Sequence, residues 1–131
     1  MTEPHWLDIS IVRAIHIRSI ARFGGAAEVR DTGLLESAIN KPRNLHAYGS
    51  DPSIFDLAAA YCAGIVHNHP FVDGNKRAGL LAAHAFLDLN GQIFRPLEAD
   101  AVKVIMALAA GEIDEGGLAA WFTEYCSPRD D

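Results

Sequence analysis

His69-Pro70-Phe71-Val72-Asp73-Gly74-Asn75-Lys76-Arg77 runs directly into the apolar stretch Ala78–Leu89. That stretch has helical length, and Asn90-Gly91 behind it is a C-terminal stop, so the spacing predicts a helix over Asn75–Leu89. Apolar residues fall on nearly all of its faces, which predicts a central core helix. Lys76 and Arg77 then sit in its first turn, against the positive end of the helix dipole. Two cations placed there make sense when an anion shares the site. Free N–H groups at a helix start, a preceding glycine and adjacent Lys and Arg together form an oxyanion or phosphate cradle.

The residues of the loop divide into chemistry and support. His69 is the candidate general base: it follows a helix end, and histidine titrates near neutrality, which suits proton removal from a hydroxyl. The bland reading is a histidine bonded to a loop carbonyl. Asp73 is either turn chemistry, as Asp73-Gly74, or the carboxylate that holds Mg²⁺ against a phosphate. Gly74 allows positive φ and close approach of a ligand. Asn75 is a helix cap, an amide orienting phosphate oxygens, or both. Arg77 grips phosphate at two points and Lys76 acts as a point charge, unless both are solvated surface cations. Phe71 is read as an apolar anchor pinning the loop to the core.

Outward from this stretch, helical periodicity dominates. Ile9, Val12, Ile15 and Ile20 mark one face of a first helix, ended by Gly24-Gly25. Thr32 is a plausible cap for a short helix through Asn40, which Pro42 stops, leaving Pro42–Gly49 as a loop. Asp51-Pro52 reads as the cap and first turn of a helix reaching about Val66. Ile93-Phe94-Arg95 reads as a brief extended segment. Further helices are expected over Glu98–Ala110 and about Gly117–Cys126, with Arg129-Asp130-Asp131 fraying. Gly79, inside the helix after the motif, is expected to permit close helix packing. The whole is an all-α domain, a bundle of about six helices spanning residues 1–131.

Bulk properties exclude several classes. The chain has 131 residues, half of them hydrophobic, and a formal net charge of −6. A general nucleic-acid binder would carry a basic excess, so no direct nucleic-acid partner is expected. No apolar run has the length of a membrane span, and no secretory signal is visible over Met1–Asp8, so a cytoplasmic location is expected. Cys62 and Cys126 match no metal spacing and read as small buried residues in a reducing compartment. His67-Asn68-His69 lacks the strand context of a nuclease. His67, His69 and His84 fit no standard zinc set, and His84 reads as a hydrogen-bonded core histidine.

The motif resembles the signature of the Fic/Doc superfamily, in which Asn is followed by Gly or Lys and then Arg. Lys76 resembles the Doc branch; Fic-branch enzymes have Gly there and a second Arg where this chain has Leu80. Arg22-Phe23-Gly24-Gly25, Gly33–Ile39, Ala85–Gly91 and Gly111-Glu112-Ile113 are similar to the flanking segments in the same order. The resemblance implies a small helical bundle. It implies His69 as the base, Asp73 as the metal ligand, and Gly74, Asn75, Lys76 and Arg77 as the phosphate site. It further implies ATP and Mg²⁺, transfer of the γ-phosphate to a Ser/Thr hydroxyl of elongation factor Tu, and arrest of translation as a toxin. A small antitoxin would then dock a helix in an apolar groove near the site. The alternatives are transfer of AMP or another nucleotidyl group, a non-catalytic binding module of the same fold and, more distantly, a zinc hydrolase.

Overall fold

The computed structural model describes residues 3–130 and is all-α, apart from one two-stranded ribbon. Six helices follow in order: α1 (Ile9–Phe23), α2 (Thr32–Tyr48), α3 (Ile54–Asn68), α4 (Asn75–Leu89), α5 (Glu98–Ala109) and α6 (Glu115–Tyr125). Strand β1 (Gln92–Phe94) pairs antiparallel with β2 (Cys126–Pro128), Ile93 opposite Ser127.

The central helix is α3, not α4. Every residue from Leu57 to Val66 is buried, and α2, α4 and α6 pack around it. Its composition explains this: alanine, glycine and cysteine on every face let three helices approach one axis. A Cβ on Gly64 would meet the Cα of Ala38 in α2 at 3.3 Å. A Cβ on Gly79 of α4 would meet Val66 Cγ2 at 2.9 Å and the Cys62 carbonyl oxygen at 3.0 Å, so Gly79 is what lets α4 close on α3. The other face of α4 carries Lys76, Arg77, Leu81, His84 and Asp88 to the surface. His84 is therefore not a core histidine; it rests exposed, edge-on to Phe94.

Pro42 does not stop α2. The helix runs through it for six more residues, with Pro42 itself buried. A proline inside a helix removes one hydrogen bond and costs about 3 kcal/mol. Here Leu45, one turn on, packs against the core, and Lys41 forms an ion pair with Glu115 of α6. These contacts hold the segment that propensity alone would release. Several caps also fall beside the expected residues. Asp31, not Thr32, caps α2, and Ser53 with Asp56 makes a reciprocal capping box on α3 where Asp51-Pro52 was expected. Asp114 caps α6, which starts two residues earlier than its sequence pattern suggests.

Arg129, expected to fray, is fastened. Arg129 donates its backbone N–H to the Gly91 carbonyl, and its guanidinium bonds the Asp88 carbonyl and pairs with the Asp88 carboxylate. Asp130 follows without regular structure, and the expectation for Asp131 lies outside the described residues. Cys62 is fully buried, whereas Cys126 is half-buried in β2. Among the described residues no helix is long and apolar enough to cross a membrane.

Candidate active site

The motif occupies the turn between the two most closely packed helices. α3 ends at Asn68, and His69 follows in the left-handed region at φ 53°, ψ 52°, its N–H still bonded to the Ile65 carbonyl. That conformation turns the chain sharply, and His69 emerges exposed. Gly74, at φ 77°, makes the second turn and launches α4. A Cβ there would approach Ile20 Cδ1 to 3.1 Å, so glycine answers both the backbone angle and the space.

Between these turns the loop is held from inside. Phe71 is fully buried, as an anchor should be. Its ring stacks on His16 of α1 at 3.7 Å between centroids and 6° between planes. His16 is itself buried, and its Nε2–H donates to the Asp73 carbonyl at 2.7 Å. The carbonyl can only accept, so this fixes the tautomer. Asn75 turns its amide inward: Oδ1 accepts from the Phe71 N–H and Nδ2 donates to the Phe71 carbonyl, each at 2.9 Å. The sequence reads Asn75 as a helix cap or a phosphate-orienting amide; the geometry displays a third role, support of the loop.

A strap over residues 26–31 holds the loop from outside. Gly24 and Gly25, both at positive φ, fold it back from α1. Val29 bridges Phe71 in antiparallel sense, Val72 N–H donates to the Glu28 carbonyl, and Arg30 and Asp31 donate N–H groups to the Pro70 carbonyl. One carboxylate oxygen of Asp73 accepts from the Ala26 N–H at 2.7 Å. A Cβ on Gly25 would lie 3.1 Å from the Asp73 Cβ, so the strap reaches Asp73 only because residue 25 has none.

The cradle is open. Side chains cap α1, α2, α3 and α6, whereas none of the described residues caps α4 or α5. Its first intrahelical bond is Ala78 N–H to the Gly74 carbonyl, so the N–H groups of Asn75, Lys76 and Arg77 have no helical acceptor. Among the described residues Lys76 makes no ion pair, and Arg77 parks its guanidinium 4.1 Å over the Phe23 ring. His69, Asp73, Gly74, Asn75, Lys76 and Arg77 together line one cleft of about 370 Å³. All six sequence-derived candidates thus converge. His67 does not: its Nε2 lies 3.2 Å from the Leu108 carbonyl, on the far side toward α5. Among the described residues no three His, Cys, Asp or Glu side chains are grouped to share a metal. A cation at Asp73 would therefore need phosphate oxygens to complete its shell, as magnesium commonly does.

Sequence reasoning missed His16, Arg30 and the strap. His16 carried a usable signal, since a titratable residue between Val12 and Ile20 on a buried helical stripe needs a partner. The strap left none, because a single bridge between residues 29 and 71 has no periodicity.

Beside the site runs a second concavity of about 760 Å³ between α1 and α4, with Ile15, Ser19, Phe23, Leu81 and Ala85 along it. The Ser19 hydroxyl is buried there without a hydrogen-bond partner among the described residues.

The fold and the cleft define a small helical protein with an exposed histidine beside a helix start that no side chain of the described residues caps. The chain belongs to the Fic/DOC family, whose pattern its residues 6–87 match. It is 39% identical over 102 residues to a protein named Toxin Doc from Mycolicibacterium smegmatis, covering 75% of this chain and 78% of that one. It is 34% identical over 107 residues to Protein kinase doc of Escherichia phage P1, covering 81% and 83% respectively.

Proposed function

We propose that this protein is a Doc-like toxin that moves the γ-phosphate of ATP to a Ser/Thr hydroxyl of a protein, with elongation factor Tu as the target by resemblance. The observation that carries the reading is the uncapped start of α4. It opens, with unpaired Lys76, into the cleft shared by His69 and Asp73. Both similar proteins bear Doc names, and one is named a kinase.

In this reading His69 accepts the hydroxyl proton as the substrate oxygen attacks the γ-phosphorus. The bond from that phosphorus to the bridging oxygen breaks, and ADP leaves. The N–H groups of Asn75, Lys76 and Arg77, with the Lys76 and Arg77 side chains, bind and orient the phosphates. Asp73 keeps one oxygen free of hydrogen bonds from the described residues, and this is where Mg²⁺ would be held to neutralise phosphate charge. Phe71, His16 and the Asn75 amide keep the loop rigid while this happens.

The groove between α1 and α4 is the candidate seat for an antitoxin helix, in the helix-in-groove mode. Its apolar residues Ile15, Phe23, Leu81 and Ala85, flanked by Arg18, Arg22, His84 and Asp88, and its continuity with the site through Phe23 and Arg77 support that role. Target and antitoxin would both be met in the cytoplasm.

The test is label transfer in a bacterial lysate with Mg²⁺ and ATP labelled at the α- or the γ-phosphate, beside His69→Ala. A band from γ-label alone, lost in the variant, is expected. A band from α-label alone would make the protein a nucleotidyltransferase instead. No band with purified elongation factor Tu would remove that target.

A further inference from the structure

His69 holds a conformation that histidine adopts reluctantly. Left-handed backbone at a helix end is the place for glycine, because a Cβ there crowds the following carbonyl. Something outside the residue must hold it. Its own N–H is committed to the Ile65 carbonyl, which fixes the helix side. On the other side, two carbonyls close α3, those of Asn68 and His69, and one side chain takes both. Arg30 donates from Nε to the His69 oxygen at 2.7 Å and from Nη2 to the Asn68 oxygen at 3.0 Å. The planar fork of a guanidinium suits two adjacent acceptors, and its charge complements the negative end of the helix dipole.

We infer that Arg30 is the positioning residue for His69, locking its backbone so that the imidazole leaves α3 toward the cleft. The inference rests on the reading of His69 as the base. The His69 carbonyl direction sets ψ at that residue. With the N–H already fixed, both backbone angles are then determined, and with them the Cα–Cβ vector. No other side chain bonds these two carbonyls among the described residues. The strap itself does not depend on the guanidinium. Its attachments, Val72 to Glu28 and Arg30 and Asp31 to Pro70, run through main-chain atoms that survive side-chain replacement. Removing the Arg30 side chain therefore frees His69 while leaving the wall of the cleft in place.

The experiment compares the full chain with Arg30→Ala and Arg30→Lys by two readouts. The first is the ¹³Cα and ¹³Cβ chemical shifts of His69, which report left-handed backbone whatever the reaction is. They should carry that signature in the wild type, average away from it in Arg30→Ala, and lie between in Arg30→Lys, which keeps the charge without the fork. The second is label transfer. In Arg30→Ala, kcat should fall on the order of ten- to a hundredfold while KM for ATP stays within about twofold, as for a misplaced base. Arg30→Lys should recover part of the rate. His69 shifts unchanged in Arg30→Ala would overturn the inference. So would a rise in KM with kcat unchanged, because Arg30 would then be touching nucleotide or target. Shifts that move in a protein transferring no label would leave the positioning role standing and remove the transferase reading.

Discussion

Asn75 and Phe71 are bound to each other twice, amide oxygen to N–H and amide nitrogen to carbonyl, at 2.9 Å in both directions. This closed pair lies buried between the anchor of the loop and the first residue of α4. Replacing Asn75 by Ala would leave a buried donor and a buried acceptor unpaired, at about 1–3 kcal/mol for each group that water cannot reach. The melting temperature should drop by roughly 5–15 °C. Asn75→Asp should not restore it, because a second acceptor would then face the Phe71 carbonyl. A melting curve for Asn75→Ala within a degree of the wild type would contradict this role.

His16→Phe separates stacking from hydrogen bonding. The ring can still lie on Phe71, but the Asp73 carbonyl loses its donor. The expected loss is about 1–3 kcal/mol in denaturant unfolding. His16→Gln, which can reach the same carbonyl, should recover part of it. Equal stability of all three proteins would mean that the bond contributes nothing.

Gly79→Ala would ordinarily stabilise a helix by about 1 kcal/mol. Here the added methyl meets Val66 Cγ2 and the Cys62 carbonyl within 3.0 Å. Overpacking of about 1–3 kcal/mol should win, and the variant should unfold at lower denaturant. A stabilised variant would show that α4 can slide off α3 freely.

The thiols should titrate late. Burial pushes Cys126 up to about 11 and Cys62 further still. Native protein should resist iodoacetamide near pH 8, and Cys126 should gain reactivity only as pH approaches about 11. An unfolded sample should react from about pH 8.5. Because the fold prefers the neutral thiols, their contribution to stability is complete below the unfolded value and is lost as pH climbs toward the folded one. The denaturant midpoint should therefore fall on the alkaline side of about pH 8.5.

The groove between α1 and α4 can be probed without touching the loop. Ser19 has no hydrogen-bond partner among the described residues, so Ser19→Ala should leave the melting temperature of the free protein unchanged or raise it. Leu81→Asp places a charge among the apolar residues of the groove and should weaken capture of a cognate antitoxin peptide by at least about tenfold. Unchanged affinity in Leu81→Asp would place the antitoxin elsewhere.

Much of the molecule was legible in its residues. The loop from His69 to Arg77 carries local signals: a glycine for the turn, cations at a helix start, an apolar run behind. Those signals brought all six candidates to one cleft. Where tertiary contacts overrule local preference, the sequence misleads. Pro42 stays helical because Leu45 and Lys41 have partners on other elements. The apolar stretch of α4 reads as central, yet its alanines only make one side of it flush with α3. Arg30 gave no sign of its role, since a surface arginine is recognised as a clamp only once the chain has placed two carbonyls beneath it.

The last turn of α4 has a further consequence for handling the protein. Asn90 is bonded to the backbone of His5 in both directions, and Arg129 is tied to Gly91 and Asp88. His5 and Arg129, near the two ends of the chain, are thus moored at one pole, about 22 Å along the 15-residue α4 from its start at the cleft. A fluorophore or a surface tether placed beside His5 or Arg129 would sit at the pole opposite the cleft.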